Sequence, residues 1–193
     1  MMDCLMSHPT LSHYRAELLS DVHGKILEIG FGTGLNIPHY PKEIHNITTV
    51  DVNPGMNSLA EKRIKDYSIT VDHRVLNGED LPMANDTFDC VVCTWTLCSI
   101  KNVDQAVREV YRVLKPGGRF YFMEHGLSNE VNVQRWQNRL NPLQNFIADG
   151  CNLNRDIKKI IEKQNFDKLE IKTFYMENFP KTHAYSYRGI ATK

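Results

Sequence analysis

The sequence has no run of eighteen apolar residues anywhere in its 193 positions, so the length needed for a membrane-spanning helix is missing. It has no surplus of either charge: 23 Lys and Arg balance 23 Asp and Glu. No global field therefore draws in a polyanion, and no local basic patch replaces one, which excludes nucleic acid as the expected partner. It lacks a cysteine framework as well. The five cysteines are an odd number, and the one pair at zinc-ligand spacing, Cys90-Val-Val-Cys93, sits in an apolar run suited to packing. A reducing compartment follows, and with no signal-peptide pattern in residues 1–10 the expected location is the cytoplasm. Repeats, low-complexity stretches and Pro/Gly-rich linkers are absent too, so one domain is expected.

What is present is regular alternation. Lys25 to Ile29, Ile47 to Val50, Ile69 to Val75, Phe88 to Cys93, Arg119 to Met123, Leu169 to Tyr175 and Ala184 to Ala191 read as strands. Between them, Leu11 to Leu19, Pro54 towards Tyr67 and the stripe Val103, Ala106, Val107, Val110, Leu114 read as helices. Val131 to Ala148 reads as a helix broken at Pro142, and Asn154 as the cap of a helix facing inwards through Ile157, Ile160 and Ile161. This alternation predicts an α/β doubly wound sheet.

Ligands of such sheets sit beyond the carboxyl ends of the strands. The first strand runs into Glu28-Ile-Gly30-Phe-Gly32-Thr-Gly34, and the second ends in Asp51. Glycine permits positive φ and lets a ligand approach bare backbone, while a carboxylate at a second-strand end suits the two hydroxyls of a ribose. The dinucleotide fingerprint spaces its glycines GxGxxG. Here the spacing is GxGxG, Leu35 stands where the last glycine belongs, and Pro38 and Pro41 interrupt the helix that should receive a pyrophosphate. A cofactor without phosphates is expected, and Glu28 would welcome a cationic one.

Taken together, Glu28 to Gly34, Asp51, Gly78-Glu-Asp-Leu-Pro82, Phe88-Asp-Cys-Val-Val92 and Val113-Leu-Lys-Pro-Gly-Gly118 resemble the class I S-adenosylmethionine-dependent methyltransferases. The resemblance implies a seven-stranded Rossmann-like sheet of order 3-2-1-4-5-7-6 with the last strand antiparallel. It divides the chain into an N-terminal helical segment (1–24), a cofactor-binding core (25–125) and acceptor-side helices with the last two strands (126–193). It places Gly30, Gly32 and Gly34 against the methionyl part of the cofactor with Glu28 nearby, and Asp51 on the ribose. Val52 and Asn53 would border the adenosine, with Asn77 at the adenine N6 and Gly78 and Glu79 flanking the ring. Thr94 would also touch the cofactor. Towards the C-terminus, Val92-Cys-Thr-Trp-Thr-Leu-Cys-Ser99, Phe122-Met-Glu-His125, Trp136 and Asp149-Gly-Cys-Asn-Leu-Asn-Arg155 are similar to the methyltransferase-like thiol S-methyltransferases and their bacterial relatives. Animal members carry an N-terminal membrane segment, which is not carried over to this chain.

That resemblance points to a small, apolar acceptor such as a thiol, with a phospholipid amine or a quinone-type ring as the alternative and a non-catalytic cofactor-binding module as another. At the end of the fifth strand, His125 is the candidate general base, a structural histidine being the competing reading. Trp95, Cys98 and Asp149 are candidate acceptor-side residues, with packing, a buried thiol and a helix cap as the respective competing readings. No metal is expected.

Overall fold

The computed structural model describes residues 6–52 and 58–193. Seven strands form one sheet: β1 (Ile26–Ile29), β2 (Asn46–Asp51), β3 (Thr70–Val75), β4 (Phe88–Thr94), β5 (Leu114–His125), β6 (Lys168–Tyr175) and β7 (Tyr185–Thr192). Their order is β3-β2-β1-β4-β5-β7-β6, as the resemblance implies. All neighbours pair in parallel except β7, which runs antiparallel to both β5 and β6. The helices are α1 (Pro9–Leu19), α2 (Ser58–Tyr67), α3 (Val103–Val113), α4 (Val131–Ile147), α5 (Ile157–Glu162) and the single turn α6 (Lys181–Ala184). The expected start of α2 at Pro54 lies outside the described residues.

Both faces of the sheet are covered, which is why β1 is buried along its whole length and why β4 reads as continuous apolar sequence. One face carries Leu27, Ile29, Val91, Cys93, Phe120 and Phe122 against Val107 and Val110 of α3 and Ile157 and Ile161 of α5. The alternate residues Ile26, Cys90, Val92, Tyr121 and Met123 meet Leu11, Leu18 and Leu19 of α1. Period-two alternation thus splits one apolar run into two cores. α3 begins where the Asn102 side chain accepts from the Gln105 N–H.

Two expectations about local structure are corrected. α4 passes through Pro142 unbroken: the residue is exposed and lies in the second half of the helix, and Asn138, whose carbonyl loses its donor, is exposed too. The cap of α5 is Asp156, accepting from the Lys159 N–H, while Asn154 donates to Asn138 Oδ1. Lys115-Pro-Gly-Gly118 follows the end of α3 at Val113 and forms the first part of β5, entered across a register shift opposite Phe88 and Cys90. Among the described residues, no helix is long and apolar enough to cross a membrane.

Candidate active site

The strand order reverses around β1, opening a crevice above the carboxyl ends of β1 and β4. The turn after β1 occupies it. Gly30, Gly32 and Gly34 all have positive φ, at 82°, 52° and 74°. Their surroundings differ. A Cβ on Gly30 would lie 1.9 Å from Thr96 Oγ1, and one on Gly34 3.0 Å from Ile37 Cδ1, whereas one on Gly32 would meet nothing within 4 Å. Gly32 is therefore the bare backbone that faces the crevice. Its N–H donates to Asp51 Oδ2 at 2.8 Å, so the turn and the second-strand carboxylate are one rigid piece. Val52, 72% exposed, lies just beyond; Asn53 lies outside the described residues.

Glu28 is buried beneath the turn. Its Oε1 accepts from Asn36 Nδ2 at 2.9 Å and its Oε2 from the Tyr40 hydroxyl at 2.7 Å. Asn36 Nδ2 also reaches Thr94 Oγ1 at 3.0 Å, tying the ends of β1 and β4 together. Burial pushes the Glu28 carboxyl up to about 7, against the lowering effect of the Tyr40 and Asn36 bonds. Glu28 thus ties the turn to Asn36 and Tyr40. A carboxyl whose folded pKa lies above its unfolded value stabilises fully below about 4.5 and loses that contribution as pH rises through about 7. The loss amounts to about 3 kcal/mol. Glu28→Gln keeps an acceptor for Asn36 and removes the titration. Thermal unfolding from pH 5 to pH 8 should show the variant gaining on the wild type as pH rises; parallel curves would contradict this assignment.

The adenine-side residues are arranged by local bonds. Asn77 is exposed and its Oδ1 accepts from the Glu79 N–H at 3.1 Å, a turn that leaves the oxygen's second lone pair for another donor. Glu79 Oε1 accepts from the Asn102 N–H at 2.9 Å. Gly78 is buried, with Ile29 Cγ2 3.1 Å from where its Cβ would be and Ile100 at 3.8 Å. Ile29 and Ile100 thus give this end of the crevice an apolar floor. A nucleoside without phosphates fits the whole: open glycine backbone, a carboxylate fixed beside it and apolar support under a ring.

The acceptor side follows β4 and β5. Trp95 holds a left-handed φ of 51°, uncommon for a bulky residue. Its N–H donates to Met123 O at 2.7 Å, and the three N–H groups after it, Thr96, Leu97 and Cys98, donate to the Glu124 carboxylate at 2.8, 2.9 and 3.3 Å. Glu124 is fully buried and pushed up to about 7 by that burial, opposed by these N–H bonds. It points away from the face that His125 serves and anchors the loop, which holds Trp95 in its strained conformation. The Arg15 guanidinium lies 4.5 Å over the Trp95 ring. Sequence reasoning missed Arg15, although its signal is legible: it occupies an inward position of α1, four residues from both Leu11 and Leu19.

Trp95 and His125 line a cavity of about 480 Å³. Leu11, Met176, Phe179 and His183 supply further wall, mostly apolar. His125 Nε2 lies 3.1 Å from Cys151 Sγ, and Nδ1 is buried without a hydrogen-bond partner among the described residues. Burial lowers the imidazole pKa, but the bond to Cys151 and its charge outweigh that and raise it. Cys98, buried behind the Trp95 loop, completes a group with His125 and Cys151. Asp149 is not part of it: the residue is exposed, with a left-handed φ of 49° in the turn after α4, and no helix begins nearby for it to cap. Trp136 is exposed on α4. Met176, Phe179 and His183 come from the connection between β6 and β7, which carries no motif or periodicity by which they could have been found.

The fold and the crevice define a doubly wound α/β protein that can hold a phosphate-free nucleoside, with a mostly apolar pocket lined by Trp95 and His125. Residues 27–122 match the family model described as a methyltransferase domain. Human thiol S-methyltransferase TMT1A is 41% identical over 155 residues, covering 76% of this chain. The chain spans 62% of that relative's length. Human thiol S-methyltransferase TMT1B is 33% identical over 181 residues, with 86% of this chain and 72% of the relative covered. The ubiquinone/menaquinone biosynthesis C-methyltransferase UbiE of Bartonella quintana is 30% identical over 96% of this chain and 70% of its own. A solved SAM-dependent methyltransferase of Thermotoga maritima, a possible histamine N-methyltransferase, superposes with a TM-score of 0.70 at 20% identity, covering 100% of this chain and 94% of that one. The chain belongs to the S-adenosylmethionine-dependent methyltransferases.

Proposed function

We propose that this protein transfers the methyl group of S-adenosylmethionine to the sulfur of a small, apolar thiol. The observation that carries the reading is the cavity lined by Trp95 and His125, apolar along most of its wall, with the thiols of Cys98 and Cys151 behind its imidazole. When bound, S-adenosylmethionine supplies an electrophilic methyl group on a sulfonium. The rest is the chain's own work. The Gly32 backbone and Asp51 hold the nucleoside at the crevice. Trp95, fixed by the Glu124-anchored loop, lines the cavity and excludes water from the path of displacement. The apolar wall aligns the acceptor, and alignment alone can supply several kcal/mol. A thiol near its ordinary pKa of about 8.5 is mostly protonated at neutral pH, and His125 is the side chain placed to promote loss of that proton.

The thiol S-methyltransferase relatives support sulfur as the acceptor. A quinone-type ring is the second reading, favoured by the UbiE relative. Isotope-labelled S-adenosylmethionine offered with a panel of alkyl and aryl thiols, phospholipid amines and quinols separates them. Labelled thioethers are expected; label in a quinol or lipid amine with none in thiols would overturn the reading.

A further inference from the structure

Three soft ligands converge where the cavity meets the edge of the sheet. Cys98 follows β4, His125 closes β5 and Cys151 follows α4, so three separate parts of the fold each deliver one. The two Sγ atoms and His125 Nε2 lie within 4.8 Å of one another. A tetrahedral zinc ion, with bonds of about 2.3 Å to sulfur and 2.0 Å to nitrogen, holds its ligand atoms about 3.5–3.8 Å apart. Side-chain adjustments of about 1 Å therefore close the cluster onto a cation, and no backbone need move.

The backbone around it is already fixed. Asn152, next to Cys151, donates to Cys98 O through both its N–H and its Nδ2, each at 2.9 Å. Cys98 N–H is held by Glu124 Oε2, and Arg155 Nη1 donates to Leu97 O. Such outer contacts orient ligands before the ion arrives. The donor set is two thiols and an imidazole with no carboxylate among them, which selects zinc-class cations over magnesium or calcium. Three protein ligands leave a fourth tetrahedral position, the arrangement of catalytic rather than structural zinc sites.

We propose that Cys98, His125 and Cys151 bind one zinc-class divalent cation beside the acceptor cavity, which His125 lines, with the fourth position taken by the acceptor's sulfur. The cation site stands on the cluster alone; its use by an acceptor rests on the thiol reading above. Binding releases the protons of Cys98 and Cys151 to water, and the acceptor thiol releases its own as it ligates. His125 then promotes that loss as a ligand. The sulfur lone pair forms the new S–C bond while the sulfonium C–S bond breaks, its electrons remaining on the departing S-adenosylhomocysteine. The neutral thioether, a weaker ligand, leaves the ion.

The test uses the full chain, kept reduced with a phosphine, stripped with a chelator and titrated with Co²⁺. One equivalent should develop thiolate-to-cobalt charge-transfer absorption with intense tetrahedral d–d bands, and Zn²⁺ should bleach both. Cys151→Ser and His125→Asn should each weaken Co²⁺ binding by about 100-fold, while Cys90→Ser leaves it unchanged. Absence of the charge-transfer band in the wild-type protein overturns the site without requiring any variant to fold, and so does Co²⁺ affinity in Cys151→Ser equal to that of the wild type. The readout contains no acceptor, so it can fail or succeed independently of the thiol reading.

Discussion

Alanine at position 30 is expected to remove both stability and cofactor binding. The residue adopts φ 82°, which costs a non-glycine residue about 1–2 kcal/mol. Its Cβ would also fall 1.9 Å from Thr96 Oγ1, 2.5 Å from Cγ2 and 2.6 Å from Cβ. Because the last of these atoms stays in place whatever rotamer Thr96 adopts, rotation cannot relieve the clash, and the backbone of the turn or of the Trp95 loop must shift. Overpacking of this kind adds about 1–3 kcal/mol. The sum, about 2–5 kcal/mol, is a large share of the stability of a domain of this size. Gly32→Ala is the informative contrast. It bears a similar conformational penalty but meets nothing within 4 Å, so its unfolding midpoint should drop less while its affinity for S-adenosylhomocysteine falls. Chemical denaturation and calorimetric titration of both variants check this. Equal loss of stability in the two would contradict the division between a packed Gly30 and an open Gly32.

The second large effect concerns turnover. With the acceptor's proton promoted away at His125, His125→Ala should lower kcat for thiol methylation by about 100-fold or more, the range typical of a lost proton-handling group. The dissociation constant for S-adenosylhomocysteine should stay within about threefold, because the glycine turn and Asp51 lie on other strands. A structural histidine would behave differently. Its removal would lower the melting temperature and weaken cofactor and acceptor together, with kcat little changed in the fraction that remains folded. The split between kcat and cofactor affinity is therefore the measurement that separates the two roles.

Much of the cofactor half was legible in the sequence because it is local. Glycines spaced along one turn, a carboxylate ending the next strand and apolar runs of strand length each report backbone constraints that a few neighbouring residues impose. The sheet order followed from the family resemblance these motifs carry. What could not be read is what depends on contacts across the fold. Nothing near Glu28 in sequence announces that Asn36 and Tyr40 fold back over its carboxylate. Pro142 looked like a break because the penalty for a proline depends on whether its side of the helix is solvated, and here it is. The far wall of the cavity comes from the β6–β7 connection, and the Cys98–His125–Cys151 group from three elements that meet only in the closed sheet. Arg15 lies between these cases: a charged residue at an inward helix position is a visible anomaly, but that its partner is the Trp95 ring is a tertiary fact.

These assignments share one physical basis. The crevice takes a nucleoside because bare backbone at Gly32 and a carboxylate at Asp51 are locked together by a single 2.8 Å bond, and the glycine turn leads into the short 3-10 helix Ile37–His39 rather than the N-terminus of an α-helix that could receive a pyrophosphate. The most direct measurement is calorimetric titration of the wild-type protein and of Asp51→Ala with S-adenosylhomocysteine and with NAD. The prediction is binding of S-adenosylhomocysteine alone, weakened at least tenfold in the variant, about 1.4 kcal/mol. Tight binding of NAD, or an affinity for S-adenosylhomocysteine that does not change when Asp51 is removed, would contradict the account.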